Sequence, residues 1–145
     1  MKKTIKCASI FALATLLLAM SVYVPFHNAS AATTYNNAAS AALFCEVNSN
    51  GRLKATLSAS GISGVTSRIK VELYVEKRVL LFFWSRVDIG CEDNVWKDSV
   101  NGFNYTNTFQ TNLSSTGTYR TTVTYTFSGS GGADDVITKT YTVTY

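Results

Sequence analysis

Histidine and proline are almost missing from this chain. The single histidine, His27, and the single proline, Pro25, both lie near the N-terminus. Without further histidines the sequence cannot supply a Ser-His-Asp or Cys-His catalytic group, or a zinc site ligated by histidine. We therefore predict a protein that is not an enzyme and that binds no cofactor.

Acidic residues are also few, and their spacing is uninformative. All 9 Asp and Glu residues fall in loop segments or on the polar sides of alternating segments. A glycoside hydrolase needs two carboxylates that face each other across a cleft, and a calcium loop needs closely spaced acids such as D-x-D. Neither pattern is recognisable here, so we predict no metal site.

The first 31 residues have the pattern of a cleavable signal peptide. Three lysines within the first six residues precede a mainly apolar stretch, residues 8–25, and Ala29-Ser30-Ala31 provides small residues at the cleavage point. The apolar stretch is shorter than the ~20 clean apolar residues of a spanning helix. We predict cleavage after about Ala31 and a secreted, extracellular protein.

Removal of this segment changes the charge of the chain. It takes three of the 13 cationic residues and none of the 9 acidic residues, which leaves a nearly neutral chain. A nearly neutral chain has no broad cationic surface. We therefore predict that nucleic acid is not a partner.

Two cysteines, Cys45 and Cys91, lie beyond the signal peptide. In an oxidising compartment a single pair indicates one disulfide bond. It would close a loop of about 46 residues and stabilise the fold by roughly 3–4 kcal/mol in the loop-entropy description. The alternative is two free, buried thiols; we predict the disulfide.

Alternation of apolar and polar residues dominates the rest of the chain. It is clearest in residues 53–59, 69–75, 119–127 and 137–143, and it is typical of strands with one buried face. Residues 32–40 are small and polar and predict a flexible tail. Residues 41–145 predict one all-β domain of about seven strands, an antiparallel β-sandwich in preference to a closed barrel.

A local run near the C-terminus supports the sandwich. Residues 115–121, Ser-Thr-Gly-Thr-Tyr-Arg-Thr, resemble the D-x-G-x-Y-x-C run of immunoglobulin domains, in which the tyrosine forms the tyrosine corner. The resemblance gives Tyr119 this structural role. Ser115 replaces the acid and Thr121 replaces the cysteine, so the usual disulfide between strands B and F cannot form. The chain resembles the small secreted immunoglobulin-like β-sandwich proteins of Gram-positive bacteria, which implies an extracellular domain without known enzymatic activity.

The most unusual segment lies where the third strand should meet its hairpin turn. Six apolar residues stand in a row with cations at both ends, where polar turn residues would be ordinary: Val79, Leu80, Leu81, Phe82, Phe83 and Trp84. An exposed segment of this kind would contact a partner's pocket or a membrane interface. The alternative is a strand that is buried on both faces.

Trp96 is a second candidate, because it lies in a polar segment where an aromatic ring would stack on a sugar. The alternative is that its ring folds back onto the edge of the sandwich. From these candidates we predict a secreted binding or adhesion domain whose partner is a protein, a glycan or an envelope component. One alternative is a membrane-active or antagonistic protein that uses residues 79–84, and another is a structural envelope or matrix protein that self-associates through strand edges.

Overall fold

The computed structural model describes residues 34–145, so the predicted signal peptide lies outside the described residues. These residues form eight strands and a short 3-10 turn, Glu92–Asn94, with no α-helix among them. The strands are β1 Ala38–Val47, β2 Arg52–Gly61, β3 Thr66–Arg78, β4 Trp84–Arg86, β5 Trp96–Asn101, β6 Asn104–Asn112, β7 Thr118–Gly129 and β8 Asp135–Thr144.

The strands form two antiparallel sheets. One sheet has the order β1-β2-β6, and the other has β8-β7-β3 with both β4 and β5 on the far side of β3. β5 pairs with the first half of β3, and β4 pairs with its last three residues. The predicted all-β sandwich is confirmed, with eight strands where about seven were expected.

The core lies between the two sheets and follows the alternation of the sequence. Residues of β2 and most of β3 alternate between burial and exposure, because successive side chains of a strand point to opposite faces. The outward residues of β7 are half-buried or buried. The largest fully buried apolar side chains are Tyr119, Tyr125, Phe127, Leu53, Leu57, Ile69, Leu73, Val71, Val75 and Val123. A slip of one residue would expose this set and bury its charged neighbours, so the register is firmly fixed.

The N-terminal part of the domain is ordered earlier than the sequence predicts. β1 begins at Ala38, within the predicted tail, and the Asn37 side chain is 0% exposed. The Asn37 amide donates to the Ala133 carbonyl over 3.0 Å and accepts from the Gly131 N–H over 3.1 Å. The predicted tail of residues 32–40 is therefore too long, because Asn37 is fastened to the turn between β7 and β8.

Tyr119 makes the contact that a tyrosine corner requires. Its ring is buried, and its hydroxyl donates a hydrogen bond of 2.5 Å to the Ser115 carbonyl, four residues upstream. This bond fixes the entry of the chain into β7.

The predicted disulfide is wrong in this structure, in which Cys45 and Cys91 are both free. Cys45 is buried in the core and belongs to β1, which is an edge strand of its sheet. On this side of the sandwich the Tyr125 hydroxyl of β7 donates a hydrogen bond to the Ala42 carbonyl of β1. Cys91 lies in the loop between β4 and β5, beyond the opposite edge. Burial raises the pKa of the Cys45 thiol to about 11, so this thiol stays protonated at neutral pH.

Candidate functional site

Residues 79–83 form an exposed loop at the tip of the hairpin between β3 and β4. We call this segment the apolar tip. The loop is closed by a hydrogen bond of 3.0 Å from the Val79 N–H to the Phe83 carbonyl, directly after the pairing of Arg78 with Trp84. All five side chains are exposed, and those of Leu81 and Phe82 reach 82% and 85%. The alternative of a strand buried on both faces is therefore wrong.

The lengths of the strands explain why the apolar tip is uncovered. β3 pairs with β7 only as far as Lys77, which lies opposite Tyr119, and β4 is only three residues long. The chain therefore passes the end of the neighbouring strand before it turns. Because no strand of the described chain pairs with residues 79–83, their side chains face solvent on both sides of the hairpin.

Four cations surround the base of the hairpin; we call Lys77, Arg78, Arg86 and Arg120 the basic collar. The Arg120 guanidinium lies 4.3 Å from the centroid of the Trp84 ring, and that of Arg86 lies 3.7 Å from the centroid of Tyr74. Both arrangements are cation–π contacts, which hold the guanidinium groups against the sheet.

The other contacts of the basic collar show how much of its positive charge is neutralised. Arg120 forms an ion pair with Glu76, with nitrogen–oxygen distances of 2.7 and 3.0 Å. Lys77 donates to the Ser115 hydroxyl over 2.5 Å and Arg78 to that of Thr118 over 3.2 Å. Both partners are neutral, so the base of the hairpin keeps a positive charge.

Trp96 is placed away from the apolar tip and points inward. It lies opposite Leu73 in the pairing of β3 with β5, and its half-buried ring packs on Phe109 with the ring centroids 5.6 Å apart. The ring closes the edge of the sandwich between β5 and β6. The sequence prediction that Trp96 contacts a partner has no support in this geometry.

A depression of about 380 Å³ beside β5 contains two carboxylates, Glu72 and Asp98. Asp98 accepts hydrogen bonds from the Tyr105 hydroxyl over 2.9 Å and from the Asn107 amide over 2.8 Å. Burial alone would raise the pKa of Asp98, but these bonds to the ionised form outweigh it and lower the pKa. A carboxylate kept ionised in this way cannot act as the general acid of a glycoside hydrolase.

The sequence shows the apolar tip and the cations beside it, but it does not show Arg120, Glu76 or Tyr74 as their neighbours. Arg120 lies more than thirty residues from Trp84 in the chain and meets it because β7 pairs with β3. The register of that pairing is the signal that could have found it. Arg120 lies opposite Glu76 on the outer face of the sheet, and opposite charges favour this position.

The described part of the chain contains neither a group of metal ligands nor a membrane-spanning helix. Within residues 34–145 no three His, Cys, Asp or Glu side chains are grouped so that they could hold a metal ion. The same residues include no helix with the length and apolar character needed to cross a bilayer. Comparison of the chain with protein-family models gave no match, and neither did comparison with the curated proteins.

Proposed function

We propose that this chain is a secreted, non-enzymatic β-sandwich domain that binds a target at the cell envelope through the apolar tip. The observation that carries the proposal is the exposure of five consecutive apolar residues at one end of the sandwich. Exposed apolar patches of soluble proteins mark interaction sites when polar residues border them, as the basic collar does here. The signal pattern in residues 1–31 supports secretion.

The alternative role for these side chains is structural, and the geometry argues against it. Leu81 and Phe82 leave most of their surface in water, so each forgoes the 1.5–3 kcal/mol or so that burial in the core would give. The core itself is filled by residues of β2, β3 and β7 and does not need them. Exposure without a structural gain indicates that these residues act in binding.

The test is a binding assay with residues 34–145, which form one compact unit. The probe is a preparation of bacterial envelope fragments that contains wall and membrane, sedimented after incubation with the protein. We expect the parent to sediment with the fragments and the double variant Leu81→Ser/Phe82→Ser to stay in solution. Both proteins should unfold at the same denaturant concentration, because substitutions of exposed residues change stability by no more than about 0.5 kcal/mol.

Val136→Ser is the matched control. Val136 is also an exposed apolar residue, 60% accessible, but it lies on β8, away from the hairpin. This control should sediment like the parent. Equal sedimentation of the parent and the double variant would show that the apolar tip is not the binding site, and a parent that stays in solution would refute envelope binding.

A further inference from the structure

We infer that the target of the apolar tip is the surface of a lipid bilayer that contains anionic phospholipid. In this arrangement residues 80–83 enter the boundary between headgroups and acyl chains, and the basic collar contacts the lipid phosphates. This inference rests on the proposed function and names the chemistry of the target. Three features of the hairpin carry it.

The first feature is the lack of polar side chains in the apolar tip. Residues 79–83 contain only valine, leucine and phenylalanine, and all five side chains are exposed around the hairpin. A pocket in a partner protein is recognised through a few precisely placed polar groups beside the apolar ones. A bilayer accepts apolar side chains on every side and requires no such groups.

The second feature is the order of residue types along the hairpin. Arg78 and Trp84 form the pair directly behind the loop, and Glu76 and Arg86 form the pair two residues further back. Tryptophan and tyrosine prefer the level of the headgroups, and arginine and lysine meet the phosphates there. Trp84, which lies beneath the Arg120 guanidinium group directly behind the loop, therefore has the position of an interfacial aromatic residue.

The third feature is that the length and the charge of the hairpin both suit a bilayer surface. Half of a five-residue loop, at about 3.4 Å per residue, reaches about 8 Å beyond the Arg78–Trp84 pair. This agrees with the roughly 5–10 Å to which interfacial segments enter a bilayer. Such a reach is far below the ~30 Å of the hydrocarbon core, so the hairpin docks on one leaflet and does not form a pore.

The charge of the basic collar selects the lipid. In the part of the chain that the structure describes, Arg120 is the one member of the collar that forms an ion pair. Lys77, Arg78 and Arg86 keep their charges available to a partner. Each cation near an anionic membrane surface contributes about a fivefold gain in binding, so the collar favours anionic over zwitterionic lipid.

The experiment is vesicle flotation of residues 34–145 with phosphatidylcholine alone and with phosphatidylcholine containing about 30% phosphatidylglycerol. We expect binding to the anionic vesicles that weakens as salt is raised, because salt screens exposed charges. Leu81→Ser/Phe82→Ser should abolish flotation. Vesicles loaded with dye should not leak, because the hairpin is too short to cross.

A matched pair of charge variants tests the role of the basic collar. Arg78→Gln/Arg86→Gln should weaken binding to anionic vesicles by about 25-fold, at fivefold for each cation. Arg68→Gln/Lys97→Gln removes two cations from the same sheet away from the hairpin, and it should bind within about twofold of the parent. Equal loss in the two pairs would show that only net charge matters and would overturn the assigned docking surface.

The two proposals fail in distinguishable ways. If envelope fragments bind the parent through the apolar tip but neither kind of vesicle does, the proposed function stands and the lipid target is wrong, which leaves a protein or glycan of the envelope. If vesicles and fragments both fail to bind, both proposals are wrong. Leakage of dye would overturn docking on one leaflet.

Discussion

Single residues that fasten the first strand to the rest of the sandwich show how polar groups stabilise this fold. One oxygen of the Asp135 carboxylate accepts hydrogen bonds from the backbone N–H groups of Asn37 and Ala38, over 2.6 and 2.9 Å. Burial alone would raise the pKa of Asp135, but these bonds to the charged form outweigh it and lower the pKa below its ordinary value. These two hydrogen bonds, which we call the Asp135 clasp, therefore stabilise the fold to a degree that depends on pH.

The substitution Asp135→Asn tests this clasp. A carboxyl group whose pKa is lowered on folding stabilises the fold at pH values above its unfolded pKa of about 3.9. This stabilisation is lost as the pH falls through the folded pKa. We expect Asp135→Asn to unfold at a lower urea concentration than the parent at pH 7. The difference should shrink as pH falls below about 4.

Asp134→Asn is the control for that experiment, because it removes the same charge one residue away, where the carboxylate bonds the exposed Ser128 hydroxyl. The urea concentration at the midpoint of unfolding is measured for the parent and both variants, from pH 7 to acidic pH. A pH-independent difference between Asp135→Asn and the parent would contradict an electrostatic clasp, and so would an equal loss in Asp134→Asn.

At the scale of strands, the sequence predicts those elements whose polar and apolar residues alternate without interruption. β2, β3, β7 and β8 agree with the predicted segments because each has one face turned toward the core and one turned away from it. β5 also alternates, but its inward positions include Asp98, which the Tyr105 hydroxyl and the Asn107 amide satisfy from β6. A half-buried, hydrogen-bonded carboxylate breaks the apolar pattern, and a single sequence does not show its partners.

The candidate site illustrates the same limit. The apolar tip is visible in the sequence because six apolar residues in a row violate alternation just where a turn is due. The part of the basic collar that comes from β7 is not visible, because Arg120 meets Trp84 only through the pairing of β7 with β3. Sequence reasoning finds a local anomaly but not the neighbours that long-range pairing brings to it.

The edge between β5 and β6 provides a prediction about Trp96. Its ring packs on Phe109 between the sheets, so we expect Trp96→Ala to lower the free energy of unfolding by about 2 kcal/mol, less than the loss for a fully buried ring. The variant that remains folded should bind envelope fragments like the parent. Denaturant unfolding and the sedimentation assay measure the two effects.

Lys97→Ala is the control for this prediction, because Lys97 is the next residue and points outward. Its stability should stay within about 0.5 kcal/mol of the parent. Loss of binding by Trp96→Ala at unchanged stability would restore the role in partner contact that the sequence suggested.

For the molecule as a whole, non-covalent contacts hold the two sheets of the sandwich together without a disulfide cross-link. Packing of the two sheets supplies the core, and the two edges are closed by different means. On one side Asp135 holds the start of β1, and on the other Trp96 and Asp98 join β5 to β6. A disulfide is not needed in this scheme, because non-covalent contacts hold both edges.

The free thiols give a prediction for the whole domain, since a cross-link acts on the unfolded chain and not on one contact. A disulfide between Cys45 and Cys91 would stabilise the fold by roughly 3–4 kcal/mol, which a reductant would remove. With both thiols free, we expect urea unfolding of residues 34–145 to have the same midpoint with and without dithiothreitol. Thiol titration of the unfolded, unreduced protein should give two reactive groups per chain. A lower midpoint in dithiothreitol, with no reactive thiol before reduction, would show instead that the two cysteines reach each other, which requires the loop between β4 and β5 to cross to the opposite side of the sandwich.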